Sequence, residues 1–169
     1  SGDITGLATV NAGSGNVTLN SAGAIADDAS AATVVTGGVL TADAAGAITI
    51  DSTVASADIS TSAAGAVDLD ETDGITLTDL DTTDGSITVD AGGSIVATAV
   101  DSADAGSDET HAVILTASTG DVTIGAITSD STLTIVATAG SINDAGDDTT
   151  TDLTSTTNAI VLTAQDEIG

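Results

Sequence analysis

The sequence predicts an all-β solenoid: a right-handed parallel β-helix of about 20 residues per rung, with residues 1–169 a single segment of a longer repetitive chain or filament. Three observations carry that prediction. Apolar and polar residues alternate in short runs, the runs recur at a nearly constant spacing, and Gly and Asp fill the positions between them. Alternation with period 2 places successive side chains on opposite faces of a strand. A unit as short as this one cannot bury its apolar face alone, and does so by stacking on its neighbours.

The elements follow from the repeat. The unit reads as a small residue, any residue, apolar–Thr–apolar, a small or polar corner and often Gly-x-Ile. It appears as GNVTLNSAGAI from Gly15, GSITVDAGGSI from Gly85 and STLTIVATAGSI from Ser131. Its first apolar positions step by one period from Ile48 to Val67 to Ile87, and again from Val113 to Leu133. Elsewhere the spacing widens, and the excess is Asp-rich, near Asp27, Asp104 and Asp147. The inward pairs are Val17/Leu19, Ile48/Ile50, Val67/Leu69, Ile75/Leu77, Ile87/Val89, Val122/Ile124 and Leu133/Ile135, with Thr the commonest residue between them. Gly and Asp suit the corners, because Gly tolerates positive φ and Asp bonds its own backbone. A longer repeat aligns Gly2-Asp3-Ile4 with Gly120-Asp121-Val122, and His111–Ser118 with Asn158–Gln165. The alternative architecture is a stack of small antiparallel β-sandwiches, with hairpin turns at Asp84-Gly85 and Gly92-Gly93.

Composition narrows function by exclusion. The chain has 26 acidic residues, 23 Asp and 3 Glu, and no Lys or Arg, for a formal charge of −26. Nothing is present to neutralise phosphates, so nucleic acid and anionic membranes are repelled. No aromatic residue offers a stacking platform, and no Cys offers a disulfide or thiolate. High charge and low complexity warn of disorder. Against that, Leu, Ile and Val supply 39 of 169 residues, above the one-fifth level below which a charged chain stays unfolded, and they are patterned. No run approaches the length of a membrane span, and Ser1-Gly2-Asp3-Ile4 lacks the basic and apolar regions of a signal peptide.

The units GNVTLNSAGAI, GSITVDAGGSI and NAIVLTAQDEIG resemble the repeats of filamentous-haemagglutinin-type exoproteins, the giant β-helical adhesins of bacterial surfaces. The resemblance runs over nearly the whole chain. It implies a right-handed β-helical shaft, extracellular or on the bacterial cell surface, inside a much longer polypeptide. The chain departs from many such proteins in lacking aromatic and basic residues, and it contains no recognisable secretion or binding domain. The function expected is structural and non-enzymatic: a shaft of an adhesin, matrix fibre or filament. Its expected partners are further coils, covalent or stacked end to end, and divalent cations.

Among local features, DLDETDG and DLDTTDG stand out. Asp68, Asp70 and Asp73, then Asp79, Asp81 and Asp84, place three carboxylates around a glycine turn twice, within a short distance along the chain. Such hard oxygen ligands suit Ca²⁺, and the bland reading is solvated turn residues on the outside of a coil. The spacing matches neither an EF-hand loop nor the nonapeptide of calcium-binding β-rolls. A diffuse cation requirement follows more directly. Carboxylates one rung apart repel by about 1 kcal/mol even in bulk-water dielectric, and no basic side chain answers them.

His111, the single histidine, follows Asp108 and Glu109 and reads as a neutral loop residue. Asp27-Asp28 and Asp147-Asp148 resemble the paired acids of a glycosidase, but the acidic substrates of β-helical pectin-degrading enzymes call for cationic side chains that are absent here. The outward Thr column admits an ice-binding reading. Flat ice-binding faces call for paired T-x-T on successive rungs, which within the apolar–Thr–apolar units occurs only at Thr76/Thr78 and Thr132/Thr134, and Thr suits any exposed strand position.

Overall fold

The computed structural model describes residues 2–29, 32, 35–102, 110–146 and 150–169. Sixteen strands follow one another: β1 (Ile4–Leu7), β2 (Val10–Asn11), β3 (Val17–Ser21), β4 (Ile25–Asp27), β5 (Val35–Ala44), β6 (Ile48–Ala64), β7 (Val67–Glu71) and β8 (Ile75–Asp84), then β9 (Ile87–Ala91), β10 (Ile95–Asp101), β11 (Val113–Ala117), β12 (Val122–Ser129), β13 (Leu133–Ala137), β14 (Ile142–Asp144), β15 (Leu153–Ser155) and β16 (Ile160–Ala164). The described residues contain no helix.

Every strand pairing among the described residues is parallel, and sequence neighbours do not pair along the main path except where β6 meets β7. One path runs β6–β7–β9–β11–β13–β16 and the other β6–β8–β10–β12–β14, so the chain alternates between two stacks that β6 joins. Parallel neighbours need a crossover between them, and here the strand of the other stack is that crossover. The result is an all-β, solenoid-like sheet of parallel strands. Antiparallel sandwiches are excluded for this part of the chain: β9 pairs with β7 and β11, so Gly85 and Gly92-Gly93 turn the coil and close no hairpin.

Like residues stack on like. Ile4, Ile25, Ile48, Val67, Ile87, Val113, Leu133 and Ile160 form one continuous ladder of Cα partners. Ile50, Leu69, Val89, Leu115, Ile135 and Leu162 form the next. Along the other stack, Ile59, Leu80, Val100, Ile127 and Leu153 do the same. All the inward pairs expected from the alternation are buried except Leu19, which is half-buried against the core. Such side chains each contribute roughly 1.5–3 kcal/mol on full burial.

The register departs from the aligned sequence units at the N-terminus. Val17 is the partner of Leu40, in the β8 stack, whereas Ile87, its equivalent in the repeat, lies in the β7 stack. Ile4 joins the Ile25–Ile48 ladder, whereas Val122, aligned with it by sequence, partners Ile95. The repeated unit serves both sides of the coil, so matching units need not stack on one another. The alignment of His111–Ser118 with Asn158–Gln165 does hold, because β11 and β16 flank β13 in one register.

Two devices turn the corners. Inward hydroxyls close them: Thr61, Thr82 and Ser155 donate to the carbonyls of Gly65, Gly85 and Asn158, a few positions ahead. Glycines bring successive corners together: a Cβ on Gly85 would overlap the Gly65 carbonyl, and one on Gly65 would overlap the backbone of Gly46.

Candidate functional site

The outward face of β6, β7 and β9 carries four carboxylates on three adjacent strands, Asp51, Asp68, Asp70 and Asp90. Asp51, Asp70 and Asp90 are Cα partners on three adjacent strands, and Asp68 lies beside them on β7. Adjacent strands are about 4.8 Å apart, so the three carboxylates stand in a column with no basic side chain between them. Asp27 adds to it from β4: its Oδ2 accepts the Asp51 backbone N–H at 2.8 Å and its Oδ1 that of Ala29 at 2.9 Å. A shallow cavity of about 320 Å³ runs along this column, lined by Asp51, Asp70, Glu71, Thr72, Asp90 and Gly92 among others.

The electrostatics follow from the stacking. Asp51 and Asp70 are pushed above the ordinary carboxylate range, first by desolvation and then by the charges beside them, Asp27 and Asp70 for the one and Asp68 and Asp90 for the other. On β8, Asp81 is raised in the same way, by desolvation and then by Asp101 and Asp79.

The alternation Val67-x-Leu69-x-Glu71 continues inward, so Glu71 enters the coil interior where its ladder partner on β9 is Ala91. It is 3% exposed. Its Oε2 accepts the Ser52 hydroxyl at 2.6 Å and the Val54 N–H at 3.1 Å, and its Oε1 accepts the Asp73 N–H at 3.3 Å. Desolvation raises the Glu71 carboxyl, and these donors oppose the rise. A period-2 count from Val67 would have located it.

The six aspartates singled out in the sequence do not assemble. Asp68 and Asp70 face outward from β7, and Asp73 lies exposed in the turn that follows. Asp79 and Asp81 face outward from β8, a strand that does not pair with β7; their partners across the sheet are Asp58 for the one and Ser60 and Asp101 for the other. Asp84 ends β8, and its Oδ1 is 3.0 Å from Nε2 of His111. The short offset between the two acidic runs carries the chain to the other stack, while a full turn of the coil brings Asp51, Asp70 and Asp90 into register. Among the described residues no three His, Asp or Glu side chains converge where a metal ion could be held.

His111 lies in the loop before β11, as its sequence context suggests, but it is buried. It lies between Asp84 and Asp130, with Nδ1 3.6 Å from Asp130 Oδ2 and without a hydrogen bond. Its carbonyl accepts the hydroxyls of Ser102 and Ser129 at 3.2 and 3.0 Å. Asp104, Asp108, Glu109, Asp147 and Asp148 lie outside the described residues. No protein-family model matches the chain, nor does any curated protein or solved structure.

Proposed function

We propose that the chain is a segment of an extracellular β-helical shaft, a right-handed parallel coil of about 20 residues per turn, of the filamentous-haemagglutinin type found in bacterial surface adhesins, matrix fibres or filaments. The observation that carries this reading is the unbroken ladder from Ile4 to Ile160, eight layers of aliphatic on aliphatic. Eight layers at about 4.8 Å make a rod of about 35–40 Å. Stacked layers supply stiffness, and a Thr- and Asp-rich exterior keeps the rod hydrated. Its role is structural, with no catalytic step. Further coils, in the same polypeptide or from another copy, are the expected partners, and Ile160 and Ile168 on the last layer are exposed where such a coil would sit.

Electron microscopy of the isolated chain in millimolar calcium tests the reading. Rods of about one chain length, or fibres built from them, with a reflection near 4.8 Å (roughly the strand spacing) along the axis on fibre diffraction, agree with it. Compact particles without that reflection overturn it.

A second reading, favoured by the Asp51–Asp70–Asp90 column, is a solenoid that needs divalent cations such as Ca²⁺ for stability, spread along the column and not held in one cage. An equal melting temperature in low-salt chelator and in millimolar calcium removes it.

A further inference from the structure

We propose that Asn16 is a site of N-linked glycosylation. Asn16-Val17-Thr18 is an Asn-x-Thr acceptor sequence, and none of the other asparagines, Asn11, Asn20, Asn143 and Asn158, has Ser or Thr two positions on. Val17 is buried, so alternation turns Asn16 and Thr18 outward together, and both are exposed. Asn16 leaves a tight turn: the Asn11 side chain accepts the Gly13 N–H at 2.8 Å, Gly13 has a φ of 61°, and the Gly15 N–H donates to the Ala12 carbonyl at 2.9 Å. The chain then enters β3, whose partner among the described residues is β5 alone, so the second edge of the strand is open to a transferase. On the paired side a glycine leaves room beside the amide: a Cβ on Gly38 would stand 3.4 Å from Asn16 Oδ1.

Charge favours the same position. Activated sugar donors carry the sugar on phosphate, and a chain of −26 repels them over most of its surface. Residues 4–26 contain no charged side chain, the longest such stretch in the chain, and across the sheet Thr18 meets Thr41. In the transfer, the Asn16 side-chain nitrogen attacks the anomeric carbon of a glycosyl diphosphate. A C–N bond forms and the C–O bond to phosphate breaks. The diphosphate carrier leaves with the electron pair, and one amide proton passes to a base of the transferase. The attached sugar, bulky and solubilising, hydrates the stretch where carboxylates are missing. The inference rests on the acceptor sequence and its exposure, and not on the shaft reading.

Two donor systems applied to the folded chain test it: a soluble N-glycosyltransferase with UDP-glucose, and a membrane oligosaccharyltransferase with a polyprenyl-diphosphate oligosaccharide. Intact-mass and tandem mass spectrometry read the product. The chain is expected to gain one glycan, on Asn16, and the system that delivers it identifies the carrier as nucleotide or lipid. Asn16→Gln and Thr18→Val should abolish the gain, with an unchanged far-ultraviolet circular dichroism spectrum. Thr18→Ser should keep it, which decides the matter even where one of the first variants folds poorly. A chain that gains no sugar from either system overturns the proposal, as does sugar on another residue or a gain that Thr18→Val leaves intact.

Discussion

His111 Nε2 lies 3.0 Å from Asp84 Oδ1, and this contact ties the loop before β11 to the end of β8. On the other side of the ring stands Asp130, from the turn after β12, so the only histidine in the chain bridges three layers of the coil. His111→Ala removes that bridge beside a buried carboxylate. It should lower stability by roughly 1–3 kcal/mol, read from urea denaturation. Asp84→Asn should cost much less, since Asp84 is half exposed and its pairing is screened.

The pH dependence has a definite sign. Asp51, Asp70, Asp81 and Glu71 all carry folded-state values raised above their ordinary ones. The folded chain therefore binds these protons more tightly than the unfolded chain. Their stabilisation is complete below the ordinary carboxylate range, near pH 4, and is lost as pH rises through the raised values. The melting temperature should rise as pH falls from 7 toward about 4.5; a fall over that interval contradicts the stacking argument.

Relieving one carboxylate of the column should stabilise the coil. Asp70 stands between Asp51 and Asp90, so Asp70→Asn removes two like-charge contacts. A gain of about 0.5–1 kcal/mol is expected at low salt, shrinking at high salt as screening replaces the substitution. Denaturation curves at two ionic strengths check both statements.

Inside the coil, Leu69→Ala should cost about 2–5 kcal/mol, because Leu69 is fully buried between Ile50 and Val89 and the cavity cannot collapse in a ladder. Glu71→Ala matches the size of its partner Ala91 but strands the Ser52 hydroxyl and the Val54 N–H. A loss of roughly 1–3 kcal/mol is expected there, measured by the same denaturation experiment.

The strands were legible in the sequence because Ile48-Thr49-Ile50 or Leu133-Thr134-Ile135 states its inward face by alternation alone. Stacking was legible where the spacing was regular, as from Ile48 to Val67 to Ile87. It was lost at Ile4 and Val17, because apolar–Thr–apolar followed by a small corner is the solution for either side of a coil, and composition does not say which side a copy occupies. The six aspartates of the two acidic runs stay apart for a related reason. DLDETDG and DLDTTDG are conspicuous as text, yet their offset is about half a coil, and the two runs face different ways. Asp51, Asp70 and Asp90 are inconspicuous as text and meet because a full coil separates them. His111 does lie in a loop as the sequence suggests, but its burial was not legible, because it depends on Asp84 and Asp130, which are remote from it along the chain and arrive only through the coiling.

The all-parallel stacking bears on how the molecule responds to tension. Its ladder hydrogen bonds, such as Ile48 N–H to Ala66 carbonyl and Val67 N–H to Ser86 carbonyl, link one layer to the next and so lie along the direction in which layers stack. A pull on the two chain ends along that direction loads a few bonds of the outermost layer at a time instead of shearing a whole sheet at once. Layers should peel off in sequence at low force. The single coil from Val113 to Leu133 would release about 70 Å of extended chain. Stretched singly, such a chain would trace a shallow sawtooth, yielding in instalments and rewinding from any layer left intact.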